Sequence, residues 1–314
     1  MDMKEKAVTI QGEYTIGATI TYRDETKKSP AVVIIMGTGK LDRDGNGLGF
    51  HSDLYKDLAQ MFAECGFAAI RYDKRGTHES GGSFGQAGLS DLTNDAISVV
   101  RYMKALPYID ENRVIICGHS EGAMIATLLS EKEETAGLIL LGGAGMCLKD
   151  ALNYQNTLIA DEVSNAKGIT GAILRKSFSL NQQLAMIEDM FRKSKETQKE
   201  KVFVKGAPMP AKWLREHGTY TSDSFAEILK KYSKPVLAIT GQADFQADFH
   251  RLESLQGEKH ISCCAPKGLT HILRSYDGKI SVLNAKKIYK ALMKKPMDAE
   301  MLDIIKDWLS GSGV

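Results

Sequence analysis

The sequence predicts an α/β protein in which helices flank an eight-stranded, mostly parallel sheet and a helical cap is inserted into the chain. Three observations support this prediction. Short runs rich in Val, Ile, Leu and Ala recur along the chain, helical patterns separate these runs, and one long segment carries helical patterns alone. Strands buried on both faces are nearly continuous apolar runs, and their alternation with helices is typical of a parallel sheet covered on both sides.

Eight strands are expected, in two groups. Residues 7–10 and 14–22 are predicted to be edge strands, and the second alternates its apolar residues with the period of two that a strand requires. The other six runs are short and almost wholly apolar, as expected of strands buried on both faces. They are residues 31–36, 68–72, 113–117, 137–141, 235–239 and 259–264.

Helices are expected where apolar residues recur at helical spacing. The segments that show this spacing are residues 54–65, 91–104, 123–130, 181–199 and 298–309. The strand pattern stops between residues 145 and 220, whereas the helical pattern continues there.

The chain has 314 residues, so one large domain with an insertion competes with two small domains. The distribution of strands favours a single core. We predict that residues 1–146 and 221–314 form this core and that residues 147–220 are a helical cap.

The composition indicates the class of partner. The formal net charge is +2, and 43% of the residues are hydrophobic. Such a balance argues against nucleic acid or an acidic membrane surface and favours a small-molecule substrate. We find neither a signal peptide nor an apolar run of membrane-spanning length, so a cytoplasmic location is expected. Five cysteines without framework spacing are predicted to be free thiols, and we expect no metal or cofactor.

The motif that carries the chemistry is Gly-His-Ser-Glu-Gly at residues 118–122. It directly follows the strand predicted at residues 113–117 and directly precedes the helix predicted at residues 123–130. A G-x-S-x-G motif between a strand and a helix is typical of a nucleophile elbow, in which the serine lies on a sharp, strained turn. The sequence therefore predicts that Ser120 is a nucleophile.

A serine hydroxyl requires a base, and the base requires a carboxylate that fixes its tautomer. In this kind of site the order along the chain is serine, acid, histidine. His271 lies in a loop after the last predicted strand and is the predicted base. His250 is its rival, whereas His217 lies in the cap or at its exit and His260 lies in or beside the last strand.

The acid is expected in the turn after the strand at residues 235–239. Asp244 ends that turn, and Asp248 lies four residues further on and could reach the same space. We favour Asp244 because a tight turn positions a carboxylate more firmly. The predicted catalytic residues are Ser120, Asp244 and His271.

An oxyanion hole is expected beside the elbow. Thr38 follows the strand at residues 31–36 and lies between two glycines, and its backbone N–H and that of Glu121 are the predicted donors. The alternative that these glycines merely form a turn stays open. The residues predicted to contact substrate are Gly37, Gly39, His119 and Trp213.

These motifs resemble those of bacterial α/β-hydrolases of the serine-hydrolase and esterase type. Residues 36–45 resemble the loop His-Gly-Ser-Gly-Pro-x-Asp-Arg-Asp-Gly that follows the third strand of that family, and residues 118–122 resemble its elbow. The resemblance extends over nearly the whole chain, through residues 71–76, 213–215, 235–244 and 270–273. It implies an α/β-hydrolase fold and carboxylic-ester hydrolysis by a cap-bearing monomer or small homo-oligomer.

Three departures from that family bear on the site. Met36 stands where the family usually has a histidine, so a polar side chain that would support the predicted oxyanion loop, residues 37–39, is missing. His78 and Glu79 replace a glycine-rich stretch, so a second titratable pair is expected near the site. Residues 247 and 248 are Ala-Asp instead of Val-Pro.

An EF-hand calcium loop is a competing interpretation of residues 42–53, in which Asp42 and Asp44 would be ligands. That motif requires a helix on both sides, and here a strand precedes it. We expect the two carboxylates to pair with arginines or with backbone N–H groups. Asp73 and Arg75 are likewise predicted to form a structural ion pair.

The predicted chemistry is covalent acyl transfer through Ser120. The same triad can cleave amides and thioesters, so a peptidase or a thioesterase is an alternative. A ligand-binding relative that has lost catalysis is an alternative of another class, and the presence of all three catalytic residue types argues against it.

Overall fold

The central feature of the computed structural model, which describes residues 3–314, is a sheet of eight strands. Residues 1 and 2, which the predicted core includes, lie outside the described residues. The strands are β1 (Lys4–Gln11), β2 (Thr15–Tyr22), β3 (Ser29–Ile35), β4 (Ala68–Tyr72), β5 (Ile109–His119), β6 (Gly137–Leu141), β7 (Val236–Ile239) and β8 (Ile261–Cys264). Their order in the sheet is β1-β2-β4-β3-β5-β6-β7-β8.

The sheet confirms the predicted mostly parallel arrangement. Strands β3 to β8 are mutually parallel, whereas β1 pairs antiparallel with β2, and β2 pairs antiparallel with β4. The prediction of two edge strands is wrong for β2, which lies between β1 and β4. The reason is that β2 is buried on both faces, including Thr21.

Ten α-helices accompany the strands within residues 3–314. They are α1 (Leu54–Glu64), α2 (Leu89–Lys104), α3 (Glu121–Leu129), α4 (Leu148–Asn165), α5 (Gly168–Ser177), α6 (Leu180–Glu196), α7 (Ala211–His217), α8 (Ser222–Lys231), α9 (Ala285–Leu292) and α10 (Ala299–Gly311). One face of the sheet packs against α2, α3 and α8, and the other packs against α1 and α10. None of the helices in this part of the chain has the length and apolar composition that crossing a membrane requires.

The segment between β6 and α8 contains α4 to α7 together with a β-hairpin, whose strands are Lys201–Val204 and Ala207–Pro210. The expectation of helices alone in this segment is therefore wrong. The hairpin strands have four residues each, and the second contains two prolines, so neither has a recognisable strand pattern. Val202 of the hairpin packs against α6 and α7 in a small apolar cluster of its own.

The sheet brings distant parts of the chain to one edge. Ser120 follows β5, Asp244 lies in the loop after β7, and His271 lies in the loop after β8. Since β5 to β8 are parallel neighbours, their carboxyl ends lie side by side. This edge is where ligands bind in open α/β sheets.

Candidate active site

The turn between β5 and α3 has the geometry of a nucleophile elbow. Ser120 has φ 57° and ψ −121°, a backbone conformation that is strained for any residue except glycine. A Cβ atom on Gly118 would lie 2.3 Å from the carbonyl oxygen of Gly122, and one on Gly122 would lie 2.0 Å from that of Ile35. Both flanking positions therefore require glycine.

Three of the predicted site residues form a hydrogen-bonded chain. Nε2 of His271 lies 3.0 Å from Oγ of Ser120, and Nδ1 of His271 lies 2.8 Å from Oδ2 of Asp244. A carboxylate only accepts, so Nδ1 carries the proton and the lone pair of Nε2 faces the serine hydroxyl. Such a chain can deprotonate a serine hydroxyl as it attacks a carbonyl carbon.

The carboxylate of Asp244 is fixed at both oxygens. Its second oxygen, Oδ1, accepts backbone N–H groups from Gln246 and Ala247 at 2.7 and 2.9 Å. The side chain is also buried, with 1% exposure. The imidazole that it orients is therefore restrained by a rigid loop.

The rival acid and bases lie elsewhere. His250 is exposed and lies 3.1 Å from Glu253, and His260 lies 3.1 Å from the backbone carbonyl of Leu229. Asp248 accepts the backbone N–H of His250 at 3.0 Å and so begins a 3₁₀ turn. The structure does not bring these side chains to Ser120.

The two predicted oxyanion donors flank the nucleophile. Thr38 and Glu121 line the same cavity as Ser120. Within residues 3–314, neither backbone N–H group donates to a protein acceptor. A Cβ atom on Gly37 would lie 2.9 Å from Cβ of Ser120, so the loop at residues 37–39, the predicted oxyanion loop, is in close contact with the elbow.

A buried chain of hydrogen bonds links this loop to His271, the predicted base. The N–H of Gly37 donates to the hydroxyl oxygen of Tyr55 over 2.8 Å, and this oxygen lies 3.0 Å from Nδ1 of His119. Nε2 of His119 lies 2.8 Å from the carbonyl oxygen of His271. Because an amide N–H only donates and a carbonyl only accepts, the Tyr55 hydroxyl donates to Nδ1, and Nε2 carries the His119 proton.

The ionisable groups in this chain remain neutral. Burial, together with the neighbouring His271, lowers the pKa of His119 to about 3. Burial likewise raises the pKa of Tyr55 above its ordinary value. The sequence analysis did not identify Tyr55, because an aromatic residue at helical spacing is typical of plain core.

A second buried cluster surrounds the side chain of Glu121. Its carboxylate lies 2.5 Å from Nζ of Lys74, accepts from Nε1 of Trp213 at 2.5 Å, and lies 3.1 Å from Nε2 of His217. Burial raises the pKa of Glu121, but Lys74 and His217 lower it well below its ordinary value. The carboxylate is therefore ionised, and both of its oxygens are bonded to these three side chains. The one sequence signal for Lys74 is its position in the motif at residues 71–76.

Two cavities adjoin the site. The larger, of about 490 Å³, is bounded by Ser120 and His271 and by apolar residues of the core and of α4. The smaller, of about 230 Å³, lies beside Phe84 and Met209. Of the residues predicted to contact substrate, those lining the larger cavity are Gly37, His119 and Trp213, and those lining the smaller are Gly39 and Trp213.

His78 and Glu79 do not form the second titratable pair expected at the site. Both are exposed, and the carboxylate of Glu79 pairs with Arg43. A Cβ atom on Gly17 would lie 2.6 Å from Cβ of Glu79, which places this residue against β2. The positive φ of His78, 44°, belongs to this surface turn.

The predicted ion pair between Asp73 and Arg75 is wrong. Asp73 pairs with Arg43 at 2.5 Å, and Arg75 pairs with Asp95 at 2.7 Å. The extended chain of β4 ends at Tyr72 and a turn begins at Arg75, and each of the two side chains finds a separate partner. The carboxylate of Asp42 accepts backbone N–H groups of its own loop, as expected.

Comparisons with known proteins agree with this architecture. The model of the family described as serine aminopeptidase, S33, matches residues 45–264, more than half of the chain. Esterase EstD of Thermotoga maritima is 26% identical over 318 residues, which cover 98% of this chain and 67% of that protein.

Two solved structures illustrate the likeness in fold. Est1E of Butyrivibrio proteoclasticus, determined with ferulic acid bound, has a TM-score of 0.58 at 19% identity, and the match covers 91% of this chain and 98% of that one. A thermophilic esterase of Thermogutta terrifontis has a TM-score of 0.55 at 15% identity, with 98% and 100% covered. These likenesses confirm the predicted fold.

Proposed function

The chain belongs to the serine aminopeptidase S33 family of α/β hydrolases, and we propose that it is a carboxylic ester hydrolase whose nucleophile is Ser120. One observation carries the proposal: the hydroxyl of Ser120 lies 3.0 Å from Nε2 of His271, whose Nδ1 lies 2.8 Å from Asp244. The name of the relative EstD, an esterase, supports the same conclusion.

The first half of the reaction forms an acyl-enzyme. Oγ of Ser120 attacks the ester carbonyl carbon while His271 takes the hydroxyl proton at Nε2. The negative charge that develops on the carbonyl oxygen is stabilised by the N–H groups of Thr38 and Glu121. When the tetrahedral intermediate collapses, His271 returns the proton to the leaving alcohol, and the acyl group remains on Ser120.

The second half repeats these steps with water. His271 takes a proton from the water that attacks the acyl carbonyl carbon, and the same two N–H groups bind the oxyanion. The proton then returns to Oγ of Ser120, and the carboxylic acid leaves. Asp244 keeps its hydrogen bond to Nδ1 throughout and stabilises the imidazolium that forms twice in the cycle.

The charges that line the cavities favour an ester over a peptide with a free amino terminus. Binding an α-ammonium group requires a carboxylate that faces it. Among the described residues that line either cavity, Glu121 is the one carboxylate. Its oxygens are already bonded to Lys74, Trp213 and His217. A neutral substrate fits this site better than a cationic one.

The walls of the larger cavity indicate an apolar substrate. Leu54, Met124, Met146, Leu152 and Ile272 are among the residues that surround Ser120. A cavity of about 490 Å³ with such walls can enclose a medium-sized apolar group. We therefore propose that the substrates are uncharged esters with an apolar acyl or alcohol group.

Residues 147–220 act as a cap in this proposal, with residues 1–146 and 221–314 as the catalytic core. The support for it is that α4 and α7 contribute Leu148, Trp213 and His217 to the wall of the larger cavity. The cap would exclude water from the reacting ester and determine which side groups fit.

The test compares Ser120→Ala with the parent enzyme on p-nitrophenyl esters of graded acyl length. Loss of the nucleophile should reduce turnover by several orders of magnitude without affecting folding. Ser130→Ala is the matched control, because Ser130 lies at the end of the same helix and donates to Thr127. Unchanged hydrolysis by Ser120→Ala would refute the assignment.

Two further measurements separate the alternatives. A fluorophosphonate probe should label the parent enzyme and the Ser130→Ala variant but not Ser120→Ala; no labelling of the parent would favour a ligand-binding protein. Aminoacyl p-nitroanilides and acyl thioesters should be cleaved more slowly than the best ester. Faster cleavage of a p-nitroanilide would instead identify a peptidase.

A further inference from the structure

Lys74 is a buried cation with two partners at the site. Its ammonium group donates to the carbonyl oxygen of Gly37 over 2.6 Å and to the carboxylate of Glu121 over 2.5 Å. The side chain is only 3% exposed. None of the catalytic steps proposed above uses Lys74, yet it contacts both segments that would form the oxyanion hole. It bonds to the backbone of Gly37 in one segment and to the side chain of Glu121 in the other.

The contact with Gly37 fixes the direction of an oxyanion donor. The carbonyl of Gly37 and the N–H of Thr38 belong to the same peptide unit, which is planar and trans, so they point in opposite directions. A group that restrains the carbonyl also restrains the N–H. Lys74 thereby determines where the N–H of Thr38 points, although the two groups do not touch.

Restraint matters here because glycines make the backbone of this loop flexible. Gly37 and Gly39 flank Thr38, and Gly39 has φ 125°, so the backbone here has glycine's freedom to rotate. The hydroxyl oxygen of Tyr55 accepts a hydrogen bond from the N–H of Gly37, which belongs to the peptide unit before Gly37. Together Tyr55 and Lys74 restrain the peptide units before and after Gly37. A hydrogen bond from a buried ammonium group is the stronger kind of restraint.

The contact with Glu121 links Lys74 to the other donor. The backbone N–H of Glu121 is the second proposed oxyanion donor. The side chain of Glu121 is held in turn by Trp213 and His217 of α7. One ammonium group therefore connects the oxyanion loop, the nucleophile elbow and the segment proposed as the cap.

We propose that Lys74 is a positioning residue for the oxyanion hole, acting through the Gly37 carbonyl to aim the N–H of Thr38 at the developing oxyanion. This inference rests on the proposed function of Ser120 and extends it. Lys74 bonds to no reacting atom and transfers no proton.

The central variant is Lys74→Met, which removes the ammonium group and keeps most of the side-chain volume. Removing an oxyanion donor outright lowers turnover by about 10²–10³-fold. A donor that is present but poorly aimed should cost less, about 10- to 100-fold in kcat, with KM changed by less than about threefold. The affinity for phenylboronic acid, which forms a tetrahedral adduct on the serine oxygen, should fall by a similar factor.

The double variant Lys74→Met/Glu121→Gln separates positioning from charge balance. Lys74→Met alone leaves the buried carboxylate of Glu121 without its cation, which is destabilising, whereas removing both charges is better tolerated. We expect the double variant to recover thermal stability but not kcat or boronic acid affinity. It also keeps the proposal testable if Lys74→Met alone fails to fold.

The matched control is Arg75→Met. Arg75 is the next residue, is 6% exposed and pairs with the buried Asp95. Losing it should lower the melting temperature but leave kcat and boronic acid affinity within about threefold of the parent values.

Two results would overturn the proposal. One is a Lys74→Met enzyme that loses stability but keeps its kcat and boronic acid affinity. The other is recovery of kcat together with stability in the double variant, since this would reduce Lys74 to a counterion of Glu121. Either result is distinguishable from failure of the proposed function, which would appear as retained turnover in Ser120→Ala.

Discussion

The backbone carbonyl of His271 accepts a hydrogen bond of 2.8 Å from Nε2 of His119, the residue directly before the nucleophile. The loop that carries the base is thus bonded to the turn that carries the serine. Through Nδ1 of His119 and the hydroxyl of Tyr55 the same chain continues to the N–H of Gly37. The proposed base, the proposed nucleophile and the loop that carries Thr38 therefore share one buried set of donors and acceptors.

Replacing Tyr55 by Phe is predicted to break this chain in the middle. The N–H of Gly37 and Nδ1 of His119 would both be left buried without a partner, at a cost of about 1–3 kcal/mol in the free energy of unfolding. Urea denaturation measures this cost, and kcat should fall as the oxyanion loop loosens.

Tyr108→Phe is the matched control for that change. The hydroxyl of Tyr108 is also buried, but within residues 3–314 it has no hydrogen-bond partner. Its removal should leave the free energy of unfolding unchanged or raise it. Equal destabilisation by the two substitutions would contradict the importance of the hydrogen bonds of Tyr55.

His119 is predicted to make the stability depend on pH. Burial lowers its pKa from the ordinary 6.5 to about 3 in the folded protein, so between these values the unfolded chain binds the proton and the folded protein does not. The contribution of His119 to the free energy of unfolding is therefore fully present above pH 6.5 and is lost as the pH falls toward 3. The slope from this group is at most about 1.4 kcal/mol per pH unit.

The variant His119→Asn isolates that contribution. Its free energy of unfolding should decline less steeply than that of the parent between pH 6 and pH 4, even though the variant is less stable at pH 7. Urea denaturation at several pH values gives both slopes. Parallel slopes would show that His119 titrates alike in the folded and unfolded chain.

Much of the fold follows from local sequence pattern. Strands buried on both faces, such as β6 and residues 31–35 of β3, consist of apolar residues and glycine, so the local sequence predicts them without knowledge of their neighbours. The elbow is equally local, because Gly118, Ser120 and Gly122 lie within one turn. The hairpin between α6 and α7 lacks such a pattern, since its strands are short and partly exposed.

The groups that support the site are not local. Lys74 and Glu121 are separated by 47 residues, and Tyr55 and His119 by 64. A lysine in a charged motif is usually solvated, and a tyrosine on an apolar helix face is usually core. Only the packing of β4, α1 and the elbow against one another makes these side chains partners, and no spacing in the sequence encodes that packing.

Asp244→Asn is predicted to abolish most activity through the tautomer of His271. Oδ1 of Asp244 accepts two backbone N–H groups, so an asparagine would keep its carbonyl oxygen there and turn its amide N–H toward Nδ1 of His271. Nδ1 would then accept, Nε2 would carry the proton, and the imidazole could not deprotonate Ser120. We expect kcat to fall by about 10⁴-fold with little change in KM.

Asp248→Asn is the control for the acid. Asp248 accepts one backbone N–H, from His250, and an asparagine side chain can accept the same bond. Its kcat should remain within about twofold of the parent value, because the residue bonds to none of the catalytic side chains. A large loss in this variant, with activity retained in Asp244→Asn, would reverse the assignment of the acid.

Trp213 is predicted to limit the size of the groups that the enzyme accepts, because it lines both cavities and donates from Nε1 to Glu121. Trp213→Ala removes the indole that borders the cavities of about 490 and 230 Å³, so kcat/KM should shift toward longer or bulkier esters. Trp213→Phe keeps an aromatic ring but loses the donor, so it should lower stability while preserving the chain-length preference.

A series of p-nitrophenyl esters from acetate to decanoate measures that preference in each variant. The same profile for Trp213→Ala and the parent would mean that the indole does not limit the substrate; a shift in both variants would assign the limit to the hydrogen bond with Glu121 instead of the ring.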